Sequence, residues 1–265
     1  MVTGPEKNGG DPAHTVELLW RDPGAPAPRA ARGPGRRFTL DEVLDAALAL
    51  ADTDGIDALT MRALAGRLGV TPMTLYTYVP GKADLVDLLL DRTLRTADRT
   101  PQDPDTPWRA RVTAVAEERR ALLRAHPWIA GLGLTRPPLG PGVMAAYEHE
   151  LAAFEDLGLT DVEQDAALAH LLGFVERTVG TELRVEAERR AAPVTDAQWW
   201  AAVAPVLARL VPPGAHPISE RVGRAAGEAH GSAYGAEHAW TFGLTCVLDG
   251  FEALVERRRP VVEGH

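Results

Sequence analysis

Between Ala58 and Ala83 the chain carries no aspartate and no glutamate, although 37 acidic residues bring its net charge to −9. The stretch holds Thr60, Arg62, Arg67, Thr71, Thr74, Tyr76, Thr77, Tyr78 and Lys82. Hydroxyls that donate and accept, with cations beside them and every carboxylate cleared away, suit a polyanion. An acidic side chain there would face phosphate at close range, whereas Arg and Lys add attraction. Pro72 and Met73 add apolar surface that can touch a thymine methyl, and hydroxyls can reach base edges or phosphates. The chemistry of the window suits recognition of a duplex; the alternative is a plain helical hairpin inside an unrelated α-protein, its acid-free run arising by chance. Nothing elsewhere offers a defensible nucleophile–His–acid spacing, a glycine-rich phosphate loop or a metal box. His149 lies between Glu148 and Glu150, but adjacent residues on a helix face different ways.

The elements that must position these groups are short helices. Thr39 and Glu42 form a capping box for a first helix whose Val43, Leu44, Ala47, Leu48 and Leu50 recur near helical spacing, ended by Asp54-Gly55. Thr60 caps a second helix, Met61 to Leu68, closed by Gly69 in a left-handed turn. Thr71 caps a third, with Pro72 at its first position, where a missing N–H costs nothing. This helix ends near Tyr78 or Val79 and is too short to persist alone. Leu75 and Val79 pin it to the other two. Its outward positions are Thr71, Pro72, Met73, Thr74, Tyr76 and Thr77. Two helices joined by a glycine-containing turn, the second presenting polar groups outward, make a helix-turn-helix. A fourth helix follows from Lys82 to about Asp98, with Leu85, Val86, Leu89 and Leu90 apolar.

The segment LTMRALAGRLGVTPMTLYTYVPGKADLVDLLL resembles the DNA-binding segment of the tetracycline-repressor family of transcription regulators. The matching positions are Thr60, Arg62, Leu64, Ala65, Leu68-Gly69-Val70, Thr74-Leu75-Tyr76, Val79 and Lys82, and the likeness extends over residues 38–90. It implies that Arg62 reaches a base edge or phosphate, that Thr74 and Tyr76 touch phosphates, that Pro72 and Met73 face bases, and that Lys82 holds a phosphate. Tyr78 stands where a His is common in the family; its phenol can still donate to phosphate. In this family the remaining helices form a dimerising, ligand-binding domain. The C-terminal half also resembles the tetracycline-repressor branch, in ALLRAHPWIAGLGLTRPP, in EDLGLT before a long apolar helix, and in FGLTCVLDGFEALV. The tetracycline–magnesium mode of that branch needs a His just before the Thr-Arg-Pro turn. Leu132 and Gly133 occupy that region, so tetracycline itself is not the expected effector; no metal and no cofactor is expected.

The expected fold is all-α. A flexible arm spans residues 1–37, a helix-turn-helix domain 38–84, and a ligand-binding and dimerisation domain 85–265. Further helices are expected near 107–125, 127–132, 141–157, 161–190, 195–210 and 235–258, with 211–234 a loop. In the Pro- and Gly-rich arm, the patch Val16, Leu18, Leu19 and Trp20 either docks on the folded body or pairs with nothing. The acid-free run holding Arg29, Arg32, Arg36 and Arg37 reads as a soluble linker or as a cationic arm for a minor groove. Residues 239–255 are apolar nearly all round, so that helix is buried on more than one side or packs against another subunit. A two-fold dimer would set two reading helices about 34–36 Å apart, which calls for a palindromic operator.

For the effector, apolar lining with few polar anchors suits a small hydrophobic molecule. The candidates are Trp128, Tyr147, Leu151, Leu168 and Leu172, with Arg119, Thr135 and His149 as polar groups. The Trp199-Trp200 pair reads as packing; His126, His170, His230 and His238 read as structural or solvated. One cysteine, Cys246, excludes an internal disulfide. Residues 1–14 lack the basic-then-apolar pattern of a signal peptide, and no uncharged apolar run reaches membrane-spanning length, so a cytoplasmic protein is expected. The expected partners are double-stranded operator DNA, a small hydrophobic effector and a second copy of the chain. The competing readings are a helix-turn-helix that binds only protein, which would retard no DNA fragment, and an all-α enzyme.

Overall fold

Thr39 accepts from the Glu42 amide at 3.1 Å while the Glu42 carboxylate accepts from the Thr39 amide at 2.8 Å, and this reciprocal box starts the helical body of the chain. The structure is a computed structural model that describes residues 12–21, 38–132, 136–232 and 234–258. Every regular element among them is helical: α1 (Pro12–Leu19), α2 (Leu40–Asp54), α3 (Met61–Leu68), α4 (Pro72–Leu75), α5 (Lys82–Thr96), α6 (Trp108–Ala125), a 3-10 turn (Ile129–Gly131), α7 (Pro141–Ala152), α8 (Asp161–Ala191), α9 (Asp196–Leu210), α10 (Pro217–His230) and α11 (Ala236–Arg258). Among the described residues no helix is long and apolar enough to cross a membrane.

The chain divides into two units after Ala169, inside α8. In the first, Val43, Leu44 and Ala47 of α2, Leu64 of α3, Leu75 of α4 and Leu85 and Leu89 of α5 are all at most 4% exposed and share one core. The same core takes in Trp128 and Ala146, so packing runs on without a break past residue 84. α5 and α7 lie against each other through glycine. A Cβ on Gly142 would stand 1.9 Å from the Asp91 carbonyl oxygen, and one on Gly140 2.2 Å from Asp91 Oδ1. In the second unit Phe174 of α8 stacks on Trp240 of α11 at 5.5 Å, and Gly243 lets α11 approach, since a Cβ there would meet the Phe174 ring. Trp240, Leu244, Leu248, Phe251 and Val255 form the buried stripe of α11.

Several expectations change. Part of the 1–37 arm is a docked helix: Leu19 is 5% exposed and belongs to the core, Leu18 packs against it, and Val16 and Trp20 remain exposed. Arg29, Arg32, Arg36 and Arg37 lie outside the described residues. The 211–234 loop contains α10, which Pro217 starts and Gly231 ends in the left-handed region at φ 62°. The Pro212-Pro213-Gly214 breaker masked a helix whose apolar positions are mostly alanine. Helix 141–157 stops at Ala152, where a turn follows through Asp156 and Gly158, both at positive φ. The 127–132 helix is only the 3-10 turn. α11 is buried on one face within its own chain; Phe242, Thr245, Cys246, Asp249 and Gly250 face out. Trp199 and Trp200 do not pack into a core and are 54% and 56% exposed.

Candidate nucleic-acid interface

Two caps set the reading geometry. Thr60 Oγ1 accepts from the Ala63 amide at 3.1 Å and fixes the start of α3. At its other end Gly69 sits at φ 69°, ψ 31°, so that its own N–H and that of Val70 return to the Ala65 carbonyl. Three residues, Gly69 to Thr71, join the two helices, and α4 begins at Pro72. Thr71 is extended as an N-cap should be, but it makes no side-chain cap bond. Its hydroxyl pairs with that of Thr74 at 3.0 Å, a correction to the expected cap. Thr77 Oγ1 donates to the Thr74 carbonyl at 2.6 Å. The helix proper ends at Leu75, and single turns carry it on to Val79.

Leu75 and Val79, each 1% exposed, hold α4 down, and what remains outside is the expected face. Met73 is 72% exposed and Tyr76 47%. Thr71, Pro72 and Thr77 are exposed and Thr74 is half-buried. Thr60, Arg62 and Arg67 on the α3 side are exposed too. Two candidates sit differently. Tyr78 is 7% exposed and belongs to the core, so its ring is packing and not part of the outer face. Its place in the turn after α4, beside Val79, sends it inward. Lys82 is half-buried, with Nζ donating to the Ile56 carbonyl at 2.9 Å. One of its three donors is thereby spent, and the ammonium is held at the start of α5 instead of roaming.

The effector candidates scatter. Arg119 and His149 line one crevice with Glu118, Glu150, Asp98 and Arg99. Arg119 Nη2 meets Glu150 Oε1 at 2.5 Å and His149 Nε2 meets Glu118 Oε2 at 2.8 Å. Leu94, Ala97, Leu122 and Ala146 complete the lining, so paired charges stand beside apolar side chains there. Trp128 is elsewhere: it is 4% exposed in the α2 core, and its Nε1 donates to Asp52 at 2.9 Å. Tyr147 is 44% exposed and donates to Asp165 at 2.8 Å, a bond that holds the phenol above its ordinary pKa. Leu168 is buried, and Leu151 and Leu172 are half-buried. Thr135 lies outside the described residues.

Two carboxylates went unnoticed in the sequence. Asp52, at the end of α2, accepts from Trp128 Nε1 and lies 2.9 Å from His126 Nδ1, tying the α2 end to the 3-10 turn. Asp91, 4% exposed in the middle of α5, accepts from the Gly142 and Val143 amides at 2.8 and 2.9 Å and so caps α7 from another helix. The only signal for Asp91 was an acid set among leucines, with a Gly-Pro-Gly run far downstream.

Comparison with known proteins agrees with this geometry. Residues 43–89 match the family described as bacterial regulatory proteins, tetR family, and residues 100–255 the tetracyclin repressor-like C-terminal domain. The chain is 40% identical over 251 residues to the HTH-type transcriptional repressor DrrR1 of Streptomyces coeruleorubidus, covering 94% of this chain and 89% of that protein. Among solved structures, ActR of Streptomyces coelicolor in complex with actinorhodin superposes with a TM-score of 0.65 at 24% identity, over 83% of this chain and 97% of that one. TetR-Q116A from Acinetobacter baumannii AYE in complex with minocycline gives 0.59 at 22%, over 83% and 99%.

Proposed function

Because the chain belongs to the tetracycline-repressor family of transcriptional regulators, DNA-binding proteins and not enzymes, we propose that it represses transcription from a palindromic operator and is released by a small hydrophobic effector. In this reading α4 enters the major groove. Pro72 and Met73 lie toward bases; Thr71, Thr74, Tyr76 and Thr77 toward bases or phosphates; Arg62 toward a base edge or phosphate; and Thr60 and Lys82 toward the backbone. Residues 38–84 form the reading head and residues 85–265 the effector and dimer domain. The protein acts in the cytoplasm, where the chromosome lies.

The observation that carries this reading is the outer face of α4. Met73 and Tyr76 are open to solvent while Leu75 between them is fully buried, and no carboxylate stands between Ala58 and Ala83. A short helix that spends its apolar residue on anchorage and keeps Met, Tyr and Thr outside is arranged for contact. Support for the dimer comes from the outward face of α11 and from α8, which packs on it through Phe174 and Trp240; paired with a second copy they would make a four-helix interface. Support for effector control comes from names: ActR was solved with actinorhodin and TetR-Q116A with minocycline. Any effector must prefer the DNA-incompetent state, since equal affinity for both states shifts nothing.

The test is selection of bound fragments from random duplexes. A palindrome with half-sites about one helical turn apart is expected, bound with steep salt dependence. Arg62→Ala and Tyr76→Ala weaken it. Binding that ignores salt, or that survives both changes, sinks the proposal.

A further inference from the structure

α1 has eight residues, too few to stay helical alone in water, so its contacts hold it. It lies outside both stretches that match the family, 43–89 and 100–255. Its contacts fall on the two ends of one junction. At the start of α5, Thr15 Oγ1 donates to Asp84 Oδ1 at 2.5 Å, and Asp84 is 6% exposed. Asp84 is two residues from Lys82, the cation offered to the DNA backbone. Along the middle, Leu18 and Leu19 line a crevice with Leu40 and Leu44 of α2 and Leu88 and Asp91 of α5. At the far end Trp20 Nε1 donates to the Leu139 carbonyl at 2.8 Å. Leu139 immediately precedes Gly140, whose absent side chain leaves room for the Asp91 carboxylate that caps α7.

We propose that α1 positions the reading head: Leu19 and Trp20 are positioning residues for operator binding, holding α5 against α2 on one side and against the entry to α7 on the other. This rests on the regulator reading above. A dimer must present two heads at the spacing of the groove, about 34–36 Å, and α5 is the helix that follows each head directly. A head free to tilt on α5 samples geometries that miss the second half-site, and binding must then order it. α1 removes that freedom beforehand, at three points, without touching DNA.

Those last words separate positioning from contact. A residue that neutralises phosphate changes the slope of log affinity against log salt; one that only orients the head lowers affinity equally at every salt concentration. The experiment uses the full-length chain, a duplex recovered by the selection above, and the variants Leu19→Asp and Trp20→Phe. The second removes the indole donor and leaves a smaller aromatic ring at a half-exposed position. Operator affinity is measured across a salt series, and amide hydrogen exchange is followed by mass spectrometry. For Leu19→Asp we expect faster exchange in 84–91 and 139–144, unchanged exchange in α3, and affinity lower by about 5-fold or more with a parallel salt line. For Trp20→Phe we expect a smaller effect, with exchange altered in 139–144 alone. If Leu19→Asp fails to fold, Trp20→Phe decides alone. Unaltered exchange overturns the proposal. So does faster exchange with unchanged affinity, which would leave α1 a stabilising strap. A shallower salt slope also overturns it, by making α1 part of a DNA contact. If the unmodified chain retards no duplex, the regulator reading falls instead, and the exchange comparison still decides whether α1 braces α5.

Discussion

Asp91 keeps a carboxyl group where water barely reaches it. Burial pushes its pKa up from the ordinary carboxylate range, and the Gly142 and Val143 amides and the Arg95 charge only partly oppose this. A group whose folded pKa is raised supports folding fully below its unfolded value and loses that support as pH rises through the folded value. Asp91→Asn, whose amide oxygen can accept the same two N–H bonds, is therefore expected to melt no lower than the unmodified protein at about pH 7. Its advantage should shrink toward about pH 4, as thermal unfolding at the two values would read. Asp91→Ala instead leaves two buried donors without an acceptor and should cost about 1–3 kcal/mol. Gly142→Ala drives a methyl into backbone and should cost about 3 kcal/mol, the upper end for overpacking. On the reading face, Arg62→Ala should lose about 1–3 kcal/mol and relax base preference if it holds a base. If it holds a phosphate, the salt slope should fall by about 1, and a salt series on matched and mismatched duplexes separates the two.

Among the elements, α4 is the least self-sufficient. Its one turn survives because Leu75 and Val79 sit in a core built by α2, α3 and α5. Leu75→Ala should therefore cost about 2–5 kcal/mol and abolish operator binding before the rest of the chain unfolds, seen as lost DNA retardation with most helical circular dichroism kept. Gly69→Ala is sterically open, with nothing within 4 Å of the new methyl, yet the backbone is left-handed there. The expected loss is about 1–2 kcal/mol, from conformation alone, in denaturant melts. These features were legible. Leu75, Val79, Gly69 and the Thr39–Glu42 box each follow from spacing and local chemistry, because caps, turns and helical faces are decided within a few residues. α10 was not legible: the prolines and glycine before it, Pro212, Pro213 and Gly214, read as a loop that continued to residue 234.

For the whole molecule, two-fold pairing decides whether one head or two reach the operator. Gly250 lies on the outward face of α11, and a Cβ there meets nothing in its own chain. Gly250→Arg should accordingly leave each chain folded and even favour its helix, while blocking the pairing. Sedimentation should give a monomer, and affinity for the full palindrome should fall toward that of a half-site. A dimer that persists would move the interface away from α11.

By itself the sequence determined the helical class, the helix-turn-helix and the outward face of α4, because each rests on periodicity and capping residues within a short window, and its motifs carried the family resemblance. Only the tertiary structure decided that Tyr78 turns inward, that Trp128 serves the α2 core, that Arg119 and His149 arrive already paired, and that part of the arm is a docked helix. Those outcomes depend on residues brought together from distant parts of the chain, Asp52 with Trp128 and Trp20 with Leu139, and no local pattern encodes which distant partner a buried polar group will find.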